Sequence, residues 1–81
     1  MSPASEQLDS LLVRVRDSRL PSPARRRRIR EAAGVTIREA AEALGVAQMT
    51  VIRWERGDVR PLRDNAIDYR LFLDALSEAS A

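Results

Sequence analysis

Between Thr36 and Gly57 the chain carries start and stop signals for two short helices with a single glycine between them, and this punctuation limits the fold more than any other feature. Thr36 is a helix N-cap, and Glu39 three residues later completes a capping box in which each residue satisfies a backbone N–H of the other. Ala40, Ala41 and Leu44 form an inner face, and the small alanines let a second helix approach closely. Gly45 offers the left-handed conformation that ends a helix without a Cβ penalty. The spacing predicts a second helix that starts by Gln48, buries Val51 and Trp54 at i, i+3 and stops at Gly57. Two helices joined by so tight a turn are the smallest unit that can lay one helix in the major groove of duplex DNA.

Composition narrows the alternatives. Eighty-one residues suit one domain with a small core, and no apolar run approaches the roughly 20 residues of a membrane span. There is no Cys and no His, which removes disulfides, thiol catalysis and most zinc sites. All 14 basic residues are arginine, which reads as the coding bias of a high-GC genome. Without His, Cys or Lys a general base would have to be a carboxylate, and the acids lie scattered beside arginines, so no enzyme, metal or small-molecule cofactor is expected. The N-terminus lacks the apolar stretch of a signal peptide, so the expected location is the cytoplasm of a bacterial or phage-infected cell. Charge is uneven: residues 21–60 hold nine arginines against five acids, whereas residues 61–81 hold two arginines against four acids. A polyanion would be drawn to the first of these segments.

The whole chain reads as helical. Leu8, Leu11, Leu12 and Val15 make one stripe of an amphipathic helix over residues 6–19. Leu20-Pro21-Ser22-Pro23 interrupts it, and Ser22 as N-cap with Pro23 at the first position starts a second helix that runs through Ile29, Ala32 and Ala33 to Gly34. After the central pair comes a connection, Asp58-Val59-Arg60-Pro61. A last helix then places Leu62, Ala66, Tyr69, Phe72, Leu73 and Leu76 on one wide face. There is no strand signal. The expected fold is therefore all-α, a small five-helix bundle with an extra N-terminal helix. Residues 1–22 form that helix and its linker, and residues 23–81 form the domain with the helix-turn-helix.

Arg30-Glu31-Ala32-Ala33-Gly34-Val35-Thr36, the paired helices, then Trp54-Glu55-Arg56-Gly57 and Arg60-Pro61 together resemble the Xre/Cro-type, lambda-repressor-like family of phage repressors and bacterial regulators, over about residues 24–76. The resemblance implies that Gln48, Met49 and Arg53 read bases and that Arg56, Arg60 and Arg63 contact phosphates; by their own places in the sequence Ile52 joins the first group as a candidate, and Arg38 and Thr50 the second. It also implies structural roles for Thr36, Gly45, Val51 and Trp54. Arg30 and Glu55 match a pair that, in this family, ties the preceding helix to the end of the recognition helix. Such repressors commonly dimerise, and twofold dimers read pseudo-palindromic operators with half-sites about 34 Å apart.

Side-chain chemistry agrees with that assignment independently. Gln makes a bidentate contact to adenine N6/N7, Arg to guanine O6/N7, and Met or Ile meets a thymine methyl. The competing reading of Gln48 and Arg53 as merely solvated helix residues is the weaker one, because two apolar neighbours on the same outer face then lack a reason. Trp54 reads as core rather than as a stacking platform, and Arg25–Arg28 wraps a full turn, so at most half of that run faces DNA.

Three departures from the family pattern stand out. Ile37 replaces a glutamine that often touches the phosphate backbone, so that contact is either lost or taken over by Arg38. Arg26 falls where an apolar core residue is usual, a deficit for Ala24, Leu20 or the N-terminal helix to fill. The last helix is long, with Ile67 and Leu71 opposite the Tyr69–Leu73 stripe and open to the N-terminal helix or a second subunit. Two other classes compete with a repressor. An excisionase or MerR-like architectural protein would follow the motif with a β-hairpin, and an antitoxin-like module would keep the fold and bind protein instead of DNA.

Overall fold

The computed structural model describes residues 20–80 together with Leu8 and Leu11. Four helices make up residues 20–80: α1 Pro23–Ala32, α2 Ile37–Leu44, α3 Gln48–Arg56 and α4 Arg63–Ala79, with no strand among the described residues. The expected helix over residues 6–19 lies outside the described residues apart from Leu8 and Leu11. Both of these have helical backbone, with 56% and 49% of their surface exposed. The fifth helix is therefore not part of the described architecture.

Local signals act where the sequence puts them. Ser22 Oγ accepts from the Arg25 N–H ahead of Pro23, starting α1. Thr36 and Glu39 close the capping box of α2: the Glu39 N–H donates to Thr36 Oγ1 at 3.1 Å and the Thr36 N–H to Glu39 Oε1 at 3.0 Å. The Thr36 backbone N–H, helped by the Thr36 side chain, holds the Glu39 carboxyl below the usual carboxylate range. Gly45 ends α2 at φ 67° and Gly57 ends α3 at φ 79°, so both helices stop in a conformation that disfavours other residues.

The core has two joined parts. Leu20, Trp54, Ala66, Tyr69 and Leu73 form one, with Ile29, Leu44, Val46 and Phe72 packed against it. Ala40, Ala41 and Val51 form the other, and Val46 and Phe72 touch both. Ala40 and Ala41, at 1% and 3% exposure, let α3 sit directly on α2. The Trp54 and Tyr69 rings meet tilted by 31° with centroids 4.8 Å apart.

Two expectations are corrected. Leu62 is not on the inner face of the last helix. It is the N-cap of α4 and 62% exposed, because Pro61, fully buried, directs the chain into the core one residue earlier. Nor is the Arg26 position an apolar deficit filled by Ala24. Ala24 is exposed and Arg26 is itself buried, beside a buried Leu20. Ile67 is half-buried and Leu71 is 62% exposed, away from the Tyr69–Leu73 side.

Candidate nucleic-acid interface

Helix α3 has nine residues, so at 100° per residue the burial of Val51 (0% exposed) and Trp54 (2%) determines which side chains face out. Met49, Arg53 and Arg56 fall on the opposite side and are exposed, and Gln48 is exposed on the first turn. Met49, with half its surface open, is a large apolar side chain between two polar ones on a solvent-facing helix. Thr50 and Ile52 are half-buried at the flanks of this row. Of the residues expected to read bases, Gln48, Met49 and Arg53 share an open face, and Ile52 borders it.

Ile52 instead lines a cleft of about 230 Å³ between α1, α2 and α3, together with Ile37, Arg27, Arg30, Glu55 and Arg56. Its lining joins two apolar side chains, Ile37 and Ile52, to the buried Arg30–Glu55 pair and the exposed Arg27 and Arg56. Arg38 does not take part. It is exposed on α2 and pairs with Glu42 one turn on, at 3.2 Å.

The pose of α3 is set from its C-terminal end. Arg30 grips Glu55 with both arms of its fork, Nε to Oε2 at 2.6 Å and Nη2 to Oε1 at 2.9 Å, and Nη1 donates to the Val35 carbonyl at 2.9 Å. Side-chain exposures of 11% and 6% make this a buried pair. The Glu55 carboxylate raises the Arg30 pKa against the opposing effect of burial. Arg26, one turn earlier on α1, donates through Nε to the Pro21 carbonyl at 2.7 Å and through Nη1 to the Trp54 carbonyl at 3.1 Å. Sequence reading missed this role. The available signal was spacing, since Arg26 lies four residues before Arg30 and three before Ile29, on the inner face of α1.

The arginines of the basic segment thus divide by neighbour. Arg26 and Arg30 are buried, and Arg27 and Arg38 pair with Glu31 and Glu42 of their own helices. Arg25, Arg28, Arg53 and Arg56 are exposed without an ion pair among the described residues. Arg60 and Arg63 are exposed beyond the end of α3. Arg63 is the one non-glycine with positive φ among the described residues, 47°, a conformation that disfavours a side chain by roughly 1–2 kcal/mol.

With α2 and α3 crossing through a glycine turn and the outer face of α3 exposed, the structure presents a helix-turn-helix. The helix-turn-helix family model matches residues 27–78, and the chain belongs to this Xre/lambda-repressor-like family. Neither a curated protein nor a solved structure matches the chain. Membership makes it a DNA-binding helix-turn-helix regulator, in a family of regulatory rather than enzymatic domains. The excisionase-like alternative is not favoured, since α4 stands where a β-hairpin would follow the motif. No helix among the described residues is long and apolar enough to cross a membrane.

Proposed function

We propose that this chain is a sequence-specific repressor of Cro type that places α3 in the major groove of an operator. The observation that carries this reading is the division of a nine-residue helix into a buried edge, Val51 and Trp54, and an open edge bearing Gln48, Met49 and Arg53. Gln48 and Arg53 supply bidentate donors for adenine and guanine, and Met49 meets a thymine methyl, with Ile52 at the margin. Arg56, Arg60, Arg63 and the half-buried Thr50 hold phosphates.

Arg38, exposed on α2, takes the phosphate contact of the glutamine absent at Ile37, joined by Arg27 and Arg56, which line the Ile37–Ile52 cleft. Occupancy of the operator blocks polymerase. Binding as a homodimer on a pseudo-palindrome would place two copies of α3 about one helical turn apart. Control comes from protein concentration or a protein partner, in the cytoplasm of a bacterial or phage-infected cell.

The test is selection from a random duplex library, followed by binding of variants to the selected site and to random DNA. Arg53→Ala removes preference at one base pair per half-site, about 1–3 kcal/mol of discrimination. Arg56→Ala weakens all sequences alike and lowers the salt slope by about 0.9 for one phosphate contact. Equal losses on selected and random DNA from Arg53→Ala refute the base-reading assignment. Absence of any mobility shift at low salt returns the antitoxin-like module to the front.

A further inference from the structure

We infer that Arg26 is a positioning residue for base reading: with Arg30 it fixes the angle at which α3 leaves the domain. The inference rests on the proposed DNA-reading role of α3 for its consequence, and on geometry for its cause.

Two consecutive residues near the end of α3 are each held by an arginine of α1. Arg30 holds the Glu55 carboxylate, and Arg26 holds the Trp54 carbonyl. The two arginines lie four residues apart on one helix, about 6 Å along its axis. On α3 the two attachments are consecutive residues, about 1.5 Å apart, and on α1 they reach points about 6 Å apart, so together with the packing of Val51 on α2 they fix the direction of the α3 end more tightly than either does alone. The second one has its own anchor. Arg26 Nε bonds the Pro21 carbonyl at 2.7 Å, and its guanidinium carbon stands 5.8 Å from the Tyr69 ring centroid, so the planar group is held on three sides. The Trp54 carbonyl also accepts from the Gly57 N–H at 3.3 Å, so Arg26 bonds the α3 backbone where the helix terminates.

Arg26 is 9% exposed as a residue and lies against the Trp54 carbonyl and the Tyr69 ring, where a leucine or methionine could fill the space. What an apolar side chain cannot do is hold two carbonyls in fixed directions, which the fork of an arginine does. The lever is long enough to matter. Gln48 lies six residues from Trp54, about 9 Å along α3, so a swing of about 10° moves it by about 1.5 Å. A bidentate base contact tolerates about 0.5 Å. Arg53, next to the clamp, moves far less.

The experiment compares the full chain with Arg26→Leu and Arg26→Lys, first without DNA. Residual dipolar couplings give the orientation of α3 relative to α2, and amide exchange reports the last turn of α3. Arg26→Leu is expected to stay folded at a lower urea midpoint, and to show reoriented or averaged couplings in α3 and faster exchange at Gly57 and Asp58 while those of α2 stay at wild type. Unchanged couplings and exchange overturn the proposal whatever happens with DNA.

On selected duplexes, Arg26→Leu is then expected to lose about tenfold in selected-over-random affinity, the worth of one good base contact. That loss falls at the base pairs whose preference Gln48→Ala also removes, and random-DNA affinity and salt slope stay at wild type. Arg26→Lys, which keeps the charge but not the planar fork, falls between the two. If Arg26→Leu fails to fold, Arg26→Lys carries the same comparison. A loss at the Arg53 base pair instead, or an equal loss on random DNA, also overturns it. If the wild-type chain selects no sequence, the DNA-reading proposal fails, and the couplings alone decide the role of Arg26.

Discussion

Removing the Glu55 carboxylate isolates the Arg30–Glu55 pair, because each partner is nearly inaccessible to water and the two bonds between them are 2.6 and 2.9 Å long. In Glu55→Ala the guanidinium of Arg30 keeps the Val35 carbonyl at 2.9 Å and the half-exposed Glu31 carboxylate at 4.0 Å, and stays charged in a site where water reaches 11% of its surface. Breaking one side of a buried pair costs about 3–5 kcal/mol, since the remaining charge is left without compensation. A chain of 81 residues has a total stability of roughly 4–12 kcal/mol, so this one change takes a large share of it. Arg30→Met costs less than Glu55→Ala, because a lone carboxylate at the end of α3 can turn toward solvent.

The double variant Arg30→Met/Glu55→Leu removes both charges and both desolvation terms, and its cycle is closed by Arg30→Met and Glu55→Leu as the single variants. Its stability is expected within about 1 kcal/mol of wild type, with a coupling energy of about 2–3 kcal/mol across the cycle. Urea unfolding followed by circular dichroism and by the emission of the single tryptophan, Trp54, measures all four proteins, provided the denaturant slope stays constant. Single-variant losses that add to the double-variant loss within about 0.5 kcal/mol would refute the claim that this is a desolvated pair rather than two independent surface groups.

Alkaline titration offers a second check. The Tyr69 hydroxyl is buried with no hydrogen-bond partner among the described residues, and burial, with the Glu55 charge, pushes its pKa up to about 12 from the usual 10. The folded state then holds the proton more tightly, so stability is intact below pH 10 and falls by about 2–3 kcal/mol as pH rises to 12. With no Lys, no Cys and one Tyr in the chain, that fall belongs to Tyr69, and urea midpoints of Tyr69→Phe should lose it. At neutral pH Tyr69→Phe should be neutral or more stable by up to about 1 kcal/mol, since an unsatisfied hydroxyl is removed. Leu20→Ala, at a position 8% exposed, should cost about 2–4 kcal/mol in thermal or urea unfolding; a loss under 0.5 would remove the linker from the core. Gly45→Ala should cost about 1–2 kcal/mol through its φ of 67° alone, as an added Cβ meets nothing within 4 Å.

Much of the candidate interface was legible before any coordinates because it is written in short-range signals. The capping box at Thr36 and Glu39, the Ser22–Pro23 start and the stops at Gly45 and Gly57 involve residues no more than a few positions apart. The i, i+3 spacing of Val51 and Trp54 then decides which edge of α3 faces out. Leu62 was misread because helical periodicity carries no information about where a preceding proline turns the chain. Arg26 was misread because hydropathy ranks arginine as solvent-seeking, and its two acceptors, the Pro21 and Trp54 carbonyls, come together only when α1 and α3 are packed.

By itself, then, the order of residues determined the helices, their ends and the exposed edge of the third one, since each is a contest between neighbours settled over one or two turns. Tertiary packing decided which arginines are available to an anion and which are struts. It also decided that Ile37 and Ile52 share a cleft with Arg27 and Arg56. A guanidinium's surroundings depend on residues 25 or more positions away, as Glu55 is from Arg30, and charge buried at that range is held only where folding supplies its partner.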